Sequence, residues 1–166
     1  VVLSVDGVNA ISGEDADPSQ TGYVLNPGQR ADITGWRKTQ DEVAQFVTAG
    51  AFWNMGENCS ASSRLIVHKD VKDALLERIK VHVRDWQLGD PLDPATTMGA
   101  IVDDNQMRRV LGYIAAGVSE GATLRTGGQQ AHTGSGGYYV EPTIFDCPRQ
   151  AMRIVNEEIF GPVLAA

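Results

Sequence analysis

Thr39-Gln40-Asp41-Glu42-Val43-Ala44-Gln45-Phe46-Val47-Thr48-Ala49-Gly50-Ala51 runs straight into Phe52-Trp53-Asn54-Met55-Gly56-Glu57-Asn58-Cys59-Ser60-Ala61-Ser62-Ser63. The first half carries a helical period. Thr39-x-x-Glu42 has the form of a capping box, in which a hydroxyl and a carboxylate each cover an orphan amide. Val43, Phe46, Val47, Gly50 and Ala51 then recur at i, i+3, i+4, i+7 and i+8, the spacing of one helix face. The helix runs out at Gly56. Cys59 follows in a turn of small polar residues that leads into the apolar run Arg64-Leu65-Ile66-Val67-His68. A capped helix followed by a short apolar run is the start of an alternating α/β pattern.

Downstream the alternation continues. Asp70 is expected to cap a second helix, with Val71, Leu75, Leu76, Ile79 and Val83 on its buried face. A third helix opens near Asp103 and carries Met107, Val110, Leu111, Ile114 and Val118. Between and after these lie the expected strands Arg64–His68, Ala122–Arg125, Tyr138–Thr143 and Pro162–Ala165. The reading is an α/β domain over residues 41–166, a mostly parallel sheet with flanking helices. Gly127-Gly128 through Gly134-Ser135-Gly136-Gly137 reads as a flexible loop and not a phosphate cradle, because no Gly-Lys-Ser/Thr and no helix pattern follow it. Upstream, Asp6-Gly7, Asp17-Pro18 and Asn26-Pro27-Gly28 punctuate short apolar runs, so residues 1–40 read as a short β-rich segment. Its expected strands are Val1–Val5, Gly22–Leu25 and Arg30–Thr34.

The chain has 166 residues and a formal net charge of −7. It has no clustered Lys/Arg stretch of the kind nucleic-acid backbones require, which argues against that class of partner. No window approaches the length and apolarity of a membrane span, and Val1–Val5 lacks the basic flank of a signal peptide. A first residue other than Met suggests a piece of something longer. The two cysteines, Cys59 and Cys147, are too few and too far apart for a disulfide scaffold or a zinc knuckle. They fit a reducing, cytoplasmic setting. His68, His82 and His132 are scattered and give a metal site no basis.

The chemistry concentrates at Cys59. Small neighbours let a substrate reach the sulfur, and backbone N–H groups of a tight turn can stabilise a developing oxyanion. The residues alone leave a buried structural cysteine and a nucleophile equally open. A Cys–His hydrolase is a further alternative that spacing does not exclude.

Phe-x-x-x-Gly-Glu-x-Cys-Ser-Ala-x-Ser around Cys59 resembles the active-site cysteine signature of the aldehyde dehydrogenase superfamily. Trp86-Gln87-Leu88-Gly89-Asp90-Pro91 through Met98-Gly99, Gly137-Tyr138-Tyr139-Val140-Glu141-Pro142-Thr143 and Glu157-Glu158-Ile159-Phe160-Gly161-Pro162-Val163 are similar to three further elements of that family, in family order. The resemblance spans about residues 41–166 and implies a partial catalytic domain. It implies that the thiolate of Cys59 attacks an aldehyde, that a hydride passes to NAD or NADP, and that a thioester is then hydrolysed to the acid. Glu158 is implied to hold the nicotinamide ribose and Phe160 to lie beside the nicotinamide ring. The Pro91–Gly99 stretch is reminiscent of the branch acting on aminoaldehydes such as γ-glutamyl-γ-aminobutyraldehyde. The family's Glu-Leu-Gly-Gly-Lys strand with its general base does not occur in this chain. Its cofactor-binding domain and oxyanion-hole asparagine are likewise expected upstream of any segment present. The expectation is therefore an incomplete fragment, with a small aldehyde as substrate and homo-oligomers in the intact family. Residues 1–40 stand outside the resemblance and suggest a fusion near residues 39–41. The reading from another class is a noncatalytic β-type interaction module carrying a vestigial dehydrogenase passenger.

Overall fold

The computed structural model describes residues 4–5, 8–9 and 39–166. It divides into two units, Val1–Thr39 and Gln40–Ala166. In the first, β1 (Ser4–Val5) and β2 (Val8–Asn9) pair antiparallel, with Val5 opposite Val8. The expected strands Gly22–Leu25 and Arg30–Thr34, and Val1–Leu3 of the first, lie outside the described residues.

In the second unit α1 (Gln40–Phe52) packs against α2 (Lys69–Val83). After α3 (Asp104–Ser119) come β3 (Thr123–Thr126), β4 (Gln130–Ala131), β5 (Tyr139–Val140) and β6 (Thr143–Asp146). The short α4 (Arg153–Asn156) and β7 (Val163–Ala165) follow. The central sheet has the order β3-β6-β7. Strand β6 runs antiparallel to β3 and parallel to β7, with Ile144 beside Leu164.

Alternation along the strands builds two cores. Ile144 and Leu164 point to a cluster with Phe52, Leu76 and Ile79 of α1 and α2. Their neighbours Phe145 and Val163 point the other way, to Val110, Ile114 and Ile154 of α3 and α4. Strand β6 is buried on both faces, and its Thr143, Ile144 and Phe145 are all buried. The result is helices on both sides of a small sheet, the α/β class expected.

Several local expectations change. The sheet is mixed, because β3 returns antiparallel to β6 where a mostly parallel sheet was expected. The expected strand Arg64–His68 reduces to one parallel bridge between Arg64 and Ala165, and Ile66 beyond it is 99% exposed. Tyr138–Thr143 is split at Pro142, which has no N–H to give a ladder. The glycine-rich stretch closes a small hairpin, in which Gln130 pairs with Val140. Helix α1 buries Ala44, Thr48, Ala51 and Phe52, while Phe46 is 70% exposed, so its buried stripe is rotated from the one expected. The cap of α2 is His68, whose Nδ1 accepts from the Asp70 amide at 3.3 Å, and Val71 is exposed. Helix α3 opens beside Asp103 as expected; the Asp103 carboxylate caps it, accepting from the Gln106 amide at 2.7 Å, and Val118 faces solvent.

Candidate active site

From the end of α1 the chain reverses through a single turn, Trp53–Gly56. Asn54, Met55 and Gly56 all lie in the left-handed region, at φ 51°, 58° and 67°. For residues bearing a Cβ that conformation costs roughly 1–2 kcal/mol each. Local bonds offset it: Glu57 N–H donates to the Asn54 carbonyl at 2.9 Å, and the Asn54 side-chain amide donates to the Glu57 carbonyl at 3.1 Å. Met55 packs against both cores, which fastens the turn to the body of the unit.

Gly56 then meets the distant segment that follows Phe160. A Cβ on Gly56 would collide with the Gly161 carbonyl oxygen, and one on Gly161 would collide with the Val110 side chain. Backbone therefore touches backbone between the cysteine turn and the Glu158–Phe160 segment. Cys59 itself sits exposed in a turn closed by Ala61 N–H donating to the Asn58 carbonyl at 2.9 Å. Ser62 N–H donates to the Gly50 carbonyl at 2.9 Å and pins the turn to the last part of α1.

The facing wall is Glu157–Phe160, held from two directions. From one side Arg64 donates to the Val155 carbonyl and, at 3.0 Å, to the Glu157 carbonyl. From the other, α3 supplies Gln106, whose side-chain amide donates to the Ile159 and Phe160 carbonyls at 3.1 and 2.6 Å. Arg109 donates to the Glu158 carbonyl at 2.7 Å, and the Tyr113 hydroxyl donates to the Glu157 carboxylate at 2.9 Å. Between the walls lies a cleft of about 290 Å³ lined by Cys59, Arg64, Glu157, Glu158 and Phe160 among others. Residues a hundred positions apart in sequence thus share one cleft. The Glu158 side chain is exposed and Phe160 half-buried, at φ 58°.

Charges around the cleft are uneven. Arg153, then Tyr113, hold the Glu157 carboxyl below its ordinary range. On the far side of Phe160, a groove of about 680 Å³ includes Glu57, whose carboxyl is pushed up by burial against the opposing bond from Val102 N–H. Burial likewise pushes up the Cys147 thiol, which is half-buried and does not line the cleft.

No histidine lines the cleft. His68 caps α2, His82 donates to Asp41 at 3.1 Å, and His132 donates to the Leu88 carbonyl at 3.1 Å. The Cys–His arrangement therefore has no partner here. Among the described residues no group of three or more His, Cys, Asp or Glu is placed to hold a metal ion, and no helix is long and apolar enough to cross a membrane.

Cys59, Glu158 and Phe160, the residues singled out from the sequence, line one cleft. Sequence reasoning missed Arg64, Gln106, Arg109 and Tyr113. Only Gln106 left a trace, three residues after the cap Asp103, and that spacing also reads as a capping pair.

Comparison with known proteins shows the family. The sequence pattern of the aldehyde dehydrogenase family matches residues 36–166. This chain belongs to the aldehyde dehydrogenase family. It is 50% identical over 125 residues to the aminoacetaldehyde dehydrogenase of Pseudomonas aeruginosa, covering 75% of this chain and 24% of that protein. The crystal structure of γ-glutamyl-γ-aminobutyraldehyde dehydrogenase from Burkholderia cenocepacia superposes with a TM-score of 0.73 at 49% identity, covering 76% of this chain and 25% of that one. An indole-3-acetaldehyde dehydrogenase in complex with NAD+ gives a TM-score of 0.74 at 49% identity, covering 76% and 26%. The chain spans about a quarter of the length of the relatives it matches.

Proposed function

We propose that the cleft is the nucleophile-bearing part of an NAD(P)+-dependent aldehyde dehydrogenase site, with Cys59 as its catalytic thiol. The observation that carries the reading is the shared cleft of Cys59, Glu158 and Phe160. In the first step the Cys59 thiolate attacks the aldehyde carbon. A C–S bond forms, the carbonyl π pair moves to oxygen, and that oxygen takes up a proton to give a thiohemiacetal. Sulfur suits the role because its adduct at the acid oxidation level is a thioester with a good leaving group. The exposed turn and its small residues Ser60, Ala61 and Ser62 leave the sulfur open to a substrate.

The residues present fit one end of a nicotinamide dinucleotide. Glu158 offers an exposed carboxylate to accept from ribose hydroxyls, and Phe160 a half-buried ring against which a flat heterocycle can lie. Bound there, NAD or NADP would supply the acceptor for the hydride that leaves the adduct. The aminoacetaldehyde dehydrogenase among the relatives favours an aminoaldehyde as substrate, and the two widely spaced cysteines favour a reducing, cytoplasmic setting. Residues 41–166 form part of a catalytic domain on this reading, and the residues ahead of the family match at residue 36 a segment of separate origin.

The test is protection of the thiol. Preincubation with 4-aminobutanal should slow iodoacetamide labelling of Cys59 and leave that of Cys147 unchanged, read by peptide mapping. Equal labelling of Cys59 with and without aldehyde would rule out its role as the attacking group.

A further inference from the structure

We infer that Gln106 is a positioning residue, whose side-chain amide holds Phe160 in its left-handed conformation and so sets the ring that faces the Cys59 cleft. Phe160 lies at φ 58°, a region in which a bulky residue persists only when its surroundings over-determine it. Gln106 is the side chain that grips both carbonyls flanking this conformation, Ile159 at 3.1 Å and Phe160 at 2.6 Å. One carbonyl precedes the Phe160 φ rotation and the other follows it. Two donors of one amide bonded to both carbonyls fix the orientation of successive peptide planes, which is what selects the sign of φ.

Gln106 is itself well anchored for this. Its backbone amide donates to Asp103 at 2.7 Å in the first turn of α3, and Val110 one turn on packs against Gly161. The helix end thus presents the amide from a rigid base to the residues it holds. Phe160 lines both the Cys59 cleft and the larger groove behind it, so its backbone conformation decides how the ring divides them.

The inference rests on the proposed role of Phe160, but its test is made without cofactor or aldehyde, so either can fail alone. Isotope-labelled protein is compared with Gln106→Met, of similar length without a donor, and Gln106→Lys, which keeps a donor. The readout is the left-handed signature of Phe160: a strong intraresidue HN–Hα NOE with the matching three-bond coupling and 13Cα shift. The expected result is that the parent chain and Gln106→Lys show the signature and Gln106→Met loses it, with α2 resonances unmoved. Retention in Gln106→Met overturns the inference, as does a parent chain with Phe160 at negative φ. Loss in both variants overturns it too, because side-chain shape and not donation would then be the cause. Resonances that collapse across α2 as well show a general structural role and equally overturn it.

Discussion

Cys59 and Cys147 differ in what surrounds their sulfurs. The first stands exposed in a turn of small residues, the second is half-buried with its thiol pushed up by desolvation. Desolvation thus leaves less of the reactive thiolate at Cys147 at neutral pH. Limiting iodoacetamide on folded protein should therefore label Cys59 first, and peptide mapping that finds Cys147 labelled preferentially would refute the assignment. The glycines of the site make a sharper demand. Gly56→Ala places a Cβ at φ 67° against a backbone carbonyl, so the left-handed penalty adds to a collision that backbone must absorb. A loss of roughly 2–4 kcal/mol in denaturant-derived stability is expected. Gly161→Ala meets the buried, β-branched side chain of Val110, which has little rotamer freedom to give way, for an expected cost of about 1–3 kcal/mol. The double variant Gly161→Ala/Val110→Ala should recover part of the collision, which a double-mutant cycle would register as favourable coupling.

Between elements, the ion cluster on Asp146 ties α2, β6 and β3 together. Its carboxylate accepts from Lys72 and from Arg125, each at 2.7 Å, and Arg125 also reaches Asp73 at 2.8 Å. Burial alone would raise the Asp146 carboxyl, but Lys72 and Arg125 together hold it below its ordinary 3.8. A depressed acid adds stability that is present above the unfolded value and is lost as pH falls through the folded one. Melting temperature should accordingly drop as pH is lowered through and below about 4. Asp146→Asn should lower stability by about 1–3 kcal/mol at neutral pH and flatten that acid limb. An unchanged acid limb in the variant would place the effect elsewhere. Elements also show where sequence reading succeeds. The start of α3 was legible because Asp103 acts within its own first turn. The buried stripe of α1 was not, since Phe46 and Val47 match the period as well as Ala44 and Thr48 do. Packing against α2 chooses between such stripes, and no local signal carries that choice. Arg64, which lines the cleft, and Gln106 and Arg109, which line the groove behind Phe160, were hidden for a related reason: each acts through carbonyls far along the chain, and carbonyls have no sequence identity.

For the whole chain, two outcomes are expected. Limited proteolysis should cut first near residue 40, where turn-rich sequence gives way to a capped helix. The product should be a stable fragment beginning there, and first cleavage within residues 70–120 would contradict the two-part reading. The 166 residues alone should not produce NADH from 4-aminobutanal or a simple aliphatic aldehyde. The chain has no Glu-Leu-Gly-Gly-Lys run to supply a water-activating base. Loss of a general base typically costs about 10²–10⁴-fold. Loss of one oxyanion donor costs about 10²–10³-fold more. Steady absorbance growth that disappears in Cys59→Ala would show that the chain rebuilds a working site, for instance by assembling with copies of itself.

Ile144 and Phe145 are neighbours in the chain but belong to opposite cores. Neither half of residues 40–166 can therefore melt while the other stays intact, because the strand that one releases is the floor of the other. Heating should give a single calorimetric transition for this unit, with van't Hoff and calorimetric enthalpies equal. A slip of β6 by one residue would exchange the two side chains between cores of different shape, so its register is guarded from both faces at once.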